Sequence, residues 1–221
     1  MVDPKCAKCK PKLCTKGITD EALLPDFCPI INHKGLMAEV KEKYKSEEFQ
    51  KFFHCSAMVE KECYDIKALR EEGRIVPLRP RIREIAEFAK KIEAKKIGLA
   101  FCSGLIDEGG RVNAILEKHG LDVCSAMCSC GALDKSEVGL PDEYRIFTPE
   151  GFEASCNPLM QAELLNKAGT AFNVLVGLCV GHDMLFSKYC EAPVTTLIVK
   201  DRLTGHNPVI SLYTRYHRDL V

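Results

Sequence analysis

The sequence predicts an α/β protein: a Rossmann-like parallel sheet with helices on both faces, preceded by a cysteine-rich loop and a helical N-terminal part. Three observations predict it. From residue 97 onward, short apolar runs alternate with amphipathic segments, the texture of strand–helix–strand units. The runs are apolar at successive positions, as strands covered on both sides must be. Ahead of residue 80 that alternation is missing, and cysteines with Lys, Pro and Gly give way to apolar residues at helical spacing. The expected domains are therefore 1–80, the cysteine-rich loop and helices, and 81–221, the α/β domain.

Each element follows from its local pattern. Residues 1–34 carry Cys6, Cys9, Cys14 and Cys28 with few periodic apolar positions, which suits a loop wrapped around a ligand. From Gly35 to Arg74, Leu36, Met37, Val40, Tyr44, Phe49, Phe52, Phe53, Met58 and Val59 recur at three to four residues, predicting two or three short helices. Arg81 to Lys96 reads as a further helix. Then come a strand over 97–102, a helix with its core over Arg111–His119, a strand over 121–128, a long loop, and a helix over Leu159–Ala168. A strand over 172–179, a helix over Met184–Tyr189 and a strand over 194–199 follow. The tail is expected to add an edge strand around Pro208–Tyr213.

Composition limits the function classes. A chain of 221 residues, 46% hydrophobic, can bury a sizeable core without covalent staples. Its 31 basic residues balance 31 acidic ones with no one-sided basic block, so neither nucleic acid nor an anionic membrane is an expected partner. No apolar run approaches the roughly 20 residues a spanning helix needs. The start, MVDPKCAKCKPKLCTKG, lacks the apolar core of a secretory signal, so a cytoplasmic location is expected. There thiols stay reduced, and 13 cysteines read as ligands or reactive groups rather than as disulfides.

Strand ends organise the second half. Cys102, Cys128 and Cys179 close the first three strands, so thiols distant in sequence converge on the carboxyl edge, where α/β sheets bind ligands. Cys156 joins them from EASCNPLMQAELL, in which Asn157 is an N-cap and Pro158 a first-turn residue. A cysteine beside a helix N-terminus is biased toward thiolate, the form that binds metal. Four thiolates in one crevice require a cation or cluster. His182, with Asp183 just after Cys179, faces the same crevice as a further ligand or a hydrogen-bond donor to sulfur, unless Asp183 caps the helix and His182 lies at the surface. Cys130 is an alternative to Cys128 if the second strand ends later. Cys124 and Cys190 read as core or surface thiols, Cys55 and Cys63 as core thiols either of which could supply a ligand, and Arg202, His206 and Asn207 as an anion site or a loop salt bridge.

The N-terminal run CAKCKPKLC has the spacing C-x2-C-x4-C, and Cys28 follows within DFCPII. Two-residue gaps let adjacent thiolates reach one metal, and Cys-Pro commonly ends a ferredoxin-type run. The wide gap to Cys28 leaves zinc as an alternative to iron–sulfur. CAKCKPKLC with the later Cys-Pro, IGLAFCSGL, CNPLMQAELLNKAGT, NVLVGLCVGHDMLF and APVTTLIVKDRLTGHNP together resemble a cysteine-rich family of anaerobic bacteria and archaea, of unknown function and labelled metal-binding. The resemblance covers nearly the whole chain. It implies metal binding, at Cys6, Cys9, Cys14 and Cys28 and at Cys102, Cys128, Cys156 and Cys179.

Three functions compete. The first is an iron–sulfur protein, with one or two clusters of the 4Fe–4S type on the two cysteine sets, serving electron transfer or redox chemistry with a redox partner protein. The second is a structural zinc protein acting as an interaction module. The third is a cysteine hydrolase: GLCVG matches the nucleophile elbow G-x-C-x-G, with Asp201 and His206 or His217 as partners, although little chain follows Cys179 to carry them. Neither a G-x-G-x-x-G pattern nor a P-loop occurs, so nucleotide binding has no motif behind it.

Overall fold

The computed structural model describes residues 2–218 and residue 220. The chain divides into two compact units, Met1–Met58 and Val59–Val221.

The first unit opens with three turns of 3-10 helix, Cys6–Lys8, Leu13–Lys16 and Glu21–Leu23. A single turn α1 (Pro29–Asn32) and the helices α2 (Lys34–Lys43) and α3 (Glu47–Glu62) follow. Cys28 is the N-cap of α1 with Pro29 at its first position, where a missing N–H costs nothing. Asn32 Nδ2 donates back to the Asp26 and Cys28 carbonyls, fixing that turn. The rings of Tyr44 and Phe53 meet at a tilt of 52° with centroids 4.9 Å apart. No described residue of 2–58 is buried; Leu36, Tyr44, Phe49, Phe52 and Phe53 are all exposed. This unit therefore has no hydrophobic core of its own.

The second unit continues through α4 (Ile66–Glu72), α5 (Arg81–Lys91), β1 (Lys96–Phe101), α6 (Ile106–Lys118) and β2 (Asp122–Met127). A long loop leads to α7 (Pro158–Lys167), β3 (Asn173–Val176), α8 (His182–Tyr189) and β4 (Val194–Ile198). All pairings in the sheet are parallel, in the order β2-β1-β3-β4. Central β1 and β3 are buried almost throughout, which is why their sequences read as unbroken apolar runs. Helices cover both faces. A Cβ on Gly109 of α6 would strike the Phe101 ring, and one on Gly98 would strike Leu165 of α7. Residues 98 and 101 are an odd number apart on β1, so they point to opposite faces. The core gathers Ile97, Leu99, Val174 and Val176 from the strands and Ala89, Leu116, Leu165 and Phe186 from the helices, all essentially inaccessible. Each large side chain among them contributes roughly 1.5–3 kcal/mol of transfer energy.

The connection after β1 runs to β2 on one side, whereas β3 lies on the other side of β1 and leads outward to β4. The carboxyl ends of β1 and β3 thus flank the switch point where such sheets bind ligands. The strands stop one residue before Cys102, one before Cys128 and three before Cys179.

The tail departs from expectation. Residues 208–213 form no edge strand; the chain makes the short helices α9 (Ile210–Tyr213) and α10 (Arg215–Arg218). Backbone bonds there are local, Ser211 N–H to Pro208 O and Thr214 N–H to Ile210 O, and the proline removes a ladder donor. The helix expected over Arg81–Lys96 ends at Lys91, because Glu93 adopts a left-handed φ of 60° and Ala94 N–H turns back to Ala89 O. Among the described residues no helix is long and apolar enough to cross a membrane.

Candidate functional site

Cys102 leaves β1 at the N-cap position of a turn of 3-10 helix, Ser103–Leu105. Ser103 N–H donates to Cys128 Sγ at 3.2 Å. Cys128 leaves β2, the neighbouring strand. Its sulfur donates to Ser103 Oγ at 3.6 Å and stands 4.0 Å, sulfur to sulfur, from Cys156. Cys179 follows β3 on the far side of β1. Its sulfur accepts from Arg202 Nη2 at 3.1 Å, and Cys102 Sγ accepts from Lys200 Nζ at 3.3 Å. Cys102 and Cys128 are buried, while Cys156 and Cys179 are half-buried. Four thiols from four chain segments thus gather at the switch point with two cations and the Ser103 N–H.

The thiols differ in their hold on protons. The neighbouring Cys128 thiol, reinforced by burial, pushes Cys102 up to about 12 against the pull of Lys200. The hydrogen bond with Cys128 draws Cys156 below the usual thiol value although burial opposes it. Arg202 is held more firmly protonated by its bond with Cys179. Unequal thiols sharing hydrogen bonds are what a thiolate-binding group would replace.

Cys156 is set by the long loop. Asn157 N–H donates to Cys128 O at 2.5 Å, its side chain caps α7 through Met160 N–H, and its Nδ2 reaches Cys130 O. Upstream, the loop is braced by ion pairs out of water: Lys135 with Glu153 at 2.5 Å, and Arg145 with Asp134 at 2.8 Å. Glu153 also accepts the N–H groups of Ile146, Phe147 and Thr148. Arg145 holds the Asp134 carboxyl, and Lys135 the Glu153 carboxyl, well below the usual range. Beneath the site, Gln161 of α7 is fully buried and donates to Phe101 O and Ala126 O, tying together the ends of the two strands that launch Cys102 and Cys128.

The other expected residues are placed differently. His182 is the first residue of α8 and half-buried, beside Asp183, whose Oδ1 accepts from Gly181 and Met184 N–H. Cys6, Cys9, Cys14 and Cys28 lie on turns of the first unit, exposed or half-buried, without a hydrogen bond between their thiols. Cys190 accepts from buried Asn173 Nδ2 at 3.3 Å, and Cys63 donates to Val59 O at 3.0 Å, so both serve packing. In the GLCVG stretch, Cys179 bonds an arginine; His206 Nδ1 accepts from Asp201 N–H and His217 bonds Thr214. Lys200 was not singled out from the sequence. The only hint was its place just past the carboxyl end of a strand.

Among the described residues, no group of three or more Cys, His, Asp or Glu side chains is arranged to hold a metal ion as it stands. The donor set itself fits thiolate-seeking groups, zinc and iron–sulfur centres foremost.

The fold and site define a cysteine-rich α/β protein with a thiol cluster at the switch point of a parallel sheet. The chain belongs to the family described as Protein of unknown function (DUF1847), whose model matches residues 28–197. That span holds Cys28 and all four crevice cysteines. The chain is also 39% identical to the uncharacterized protein MJ0455 of Methanocaldococcus jannaschii over 213 residues, 96% of this chain and 95% of the relative.

Proposed function

We propose that this is a metal-binding protein whose α/β unit carries an iron–sulfur cluster of the 4Fe–4S type on Cys102, Cys128, Cys156 and Cys179, used for electron transfer with a redox partner protein. The observation that supports the reading most is the meeting of four thiols, Lys200, Arg202 and the Ser103 N–H at one sheet edge. Four thiolates and an oxidised cubane core leave two negative charges, which the two cations offset. An uncompensated set would repel itself strongly out of water. When bound, such a group supplies one-electron chemistry. The residues supply its ligands, its charge balance and N–H···S bonds. With all four ligand positions taken by cysteine, electron transfer fits better than substrate activation. His182 is a neighbour that could donate to a bound sulfur.

One observation favours zinc: the 4.0 Å between Cys128 and Cys156 is near the edge of about 3.8 Å expected for tetrahedral thiolates with 2.3 Å bonds. The N-terminal set, Cys6, Cys9, Cys14 and Cys28, we propose as a second site, for zinc or a second cluster. A unit without buried side chains needs such a staple, and metal binding there would order it. Thirteen cysteines outside disulfides suit a reducing cytoplasm.

Iron, zinc and acid-labile sulfide measured on protein purified without oxygen test the reading, for the wild type, Cys179→Ala and the double variant Cys6→Ala/Cys9→Ala. Iron and sulfide that fall by one cluster in Cys179→Ala, independently of the N-terminal double variant, are expected. Zinc without sulfide, unchanged by Cys179→Ala, would overturn it.

A further inference from the structure

We infer that Lys200 and Arg202 are positioning residues that set the reduction potential of the crevice centre, Lys200 through Cys102 and Arg202 through Cys179. The inference rests on the iron–sulfur reading above and assigns to it two residues beyond the ligand set. Lys200 is not a surface lysine that happens to lie near sulfur; its path is built. Pairing of β3 with β4 slips between Leu175 and Val176, which face Thr196 and Ile198, so β4 carries one extra residue just before its end. Such a bulge re-aims the side chains that follow it. The lysine then runs past two glycines. A Cβ at Gly177 would lie 3.6 Å from Lys200 Cδ, and one at Gly104 3.3 Å from its Nζ. Gly177 has a φ of 68°, and a Cβ there would also meet Leu105 Cδ1 at 2.1 Å, so side chains are excluded from the lysine's path. Its ammonium ends 3.3 Å from Cys102 Sγ, while Arg202, two residues on, reaches Cys179 Sγ at 3.1 Å beyond the end of β3.

Reduction adds one electron, and therefore one negative charge, to a centre held between these cations. Each cation stabilises the reduced form more than the oxidised one and raises the potential. Lys200 is half-buried and Arg202 exposed, so solvent and salt screen the arginine more.

The test is redox titration of the visible spectrum, with a reductant such as dithionite, for the wild type, Lys200→Met, Arg202→Met and Lys200→Arg, each assayed for iron and sulfide. Expected are full clusters throughout, a clear negative shift of the midpoint in Lys200→Met, a smaller and more salt-sensitive one in Arg202→Met, and a value near wild type in Lys200→Arg. A Lys200→Met chain that folds but loses iron while Lys200→Arg keeps it also supports the charge role. Unshifted potentials at full occupancy would overturn the inference and leave the cluster standing, as would loss of iron in Lys200→Met and Lys200→Arg alike. A wild type without iron and sulfide would overturn the functional reading, and this inference with it.

Discussion

Cysteine does two jobs here, and the neighbours of each sulfur tell them apart. Cys128 lies against the Cys156 thiol, the Ser103 hydroxyl and a backbone N–H, whereas Cys190 lies against one buried amide. Asn173 is fully buried; its Oδ1 accepts from Thr170 and its Nδ2 has Cys190. Cys190→Ala should therefore leave that donor unmet and lower stability by about 1–3 kcal/mol in a denaturant titration, without changing metal content. Loss of metal in that variant would remove the distinction. Spacing alone could not assign Cys190, because its partner lies 17 residues away and is fixed only by the fold. Cys102, Cys128 and Cys179 were easier to read. A thiol following a buried apolar run must emerge near the carboxyl edge wherever the run ends. The side chain of Lys200 could not be aimed from sequence, since its direction depends on a one-residue slip between β3 and β4.

At the level of elements, the sheet was legible because β1 and β3 are covered on both sides and therefore continuously apolar, and the helices because each buries one stripe. The tail was misread as a strand because Val209, Ile210 and Leu212 are apolar in a segment whose backbone pairs locally. The long loop before α7 carried no periodic signal at all. Its order comes from ion pairs between residues up to 18 positions apart, Lys135 with Glu153 and Arg145 with Asp134. Those pairs imply a pH dependence. Both carboxyls are depressed in the folded chain by their cationic partners, so unfolding takes up protons in acid. Their contribution is complete above the ordinary carboxylate range, near pH 4, and declines as pH falls below it toward the lower folded values. Limited acid proteolysis should accordingly cut between residues 134 and 157 first. In Glu153→Gln, which leaves Lys135 without its counter-charge, that cutting should already appear near neutral pH. Equal resistance of variant and wild type would mean the ion pairs do not hold the loop that carries Cys156.

Across the whole molecule, the two units solve the problem of stability differently. Residues 59–221 bury a conventional core under a parallel sheet, and their thiols sit where that architecture leaves a crevice. Residues 2–58 bury no described side chain, and carry four cysteines on turns. A metal centre in the first role acts on a finished fold; in the second it completes one. The central claim is that thiolates of the crevice hold an iron–sulfur cluster. The most direct measurement is X-ray absorption at the edge of the bound metal, on anaerobically purified Cys6→Ala/Cys9→Ala protein, in which the crevice set is intact. The account predicts an iron edge with a sulfur shell at about 2.3 Å and a metal–metal distance beyond it. A zinc edge with sulfur alone, or a shell of nitrogen and oxygen, would contradict it.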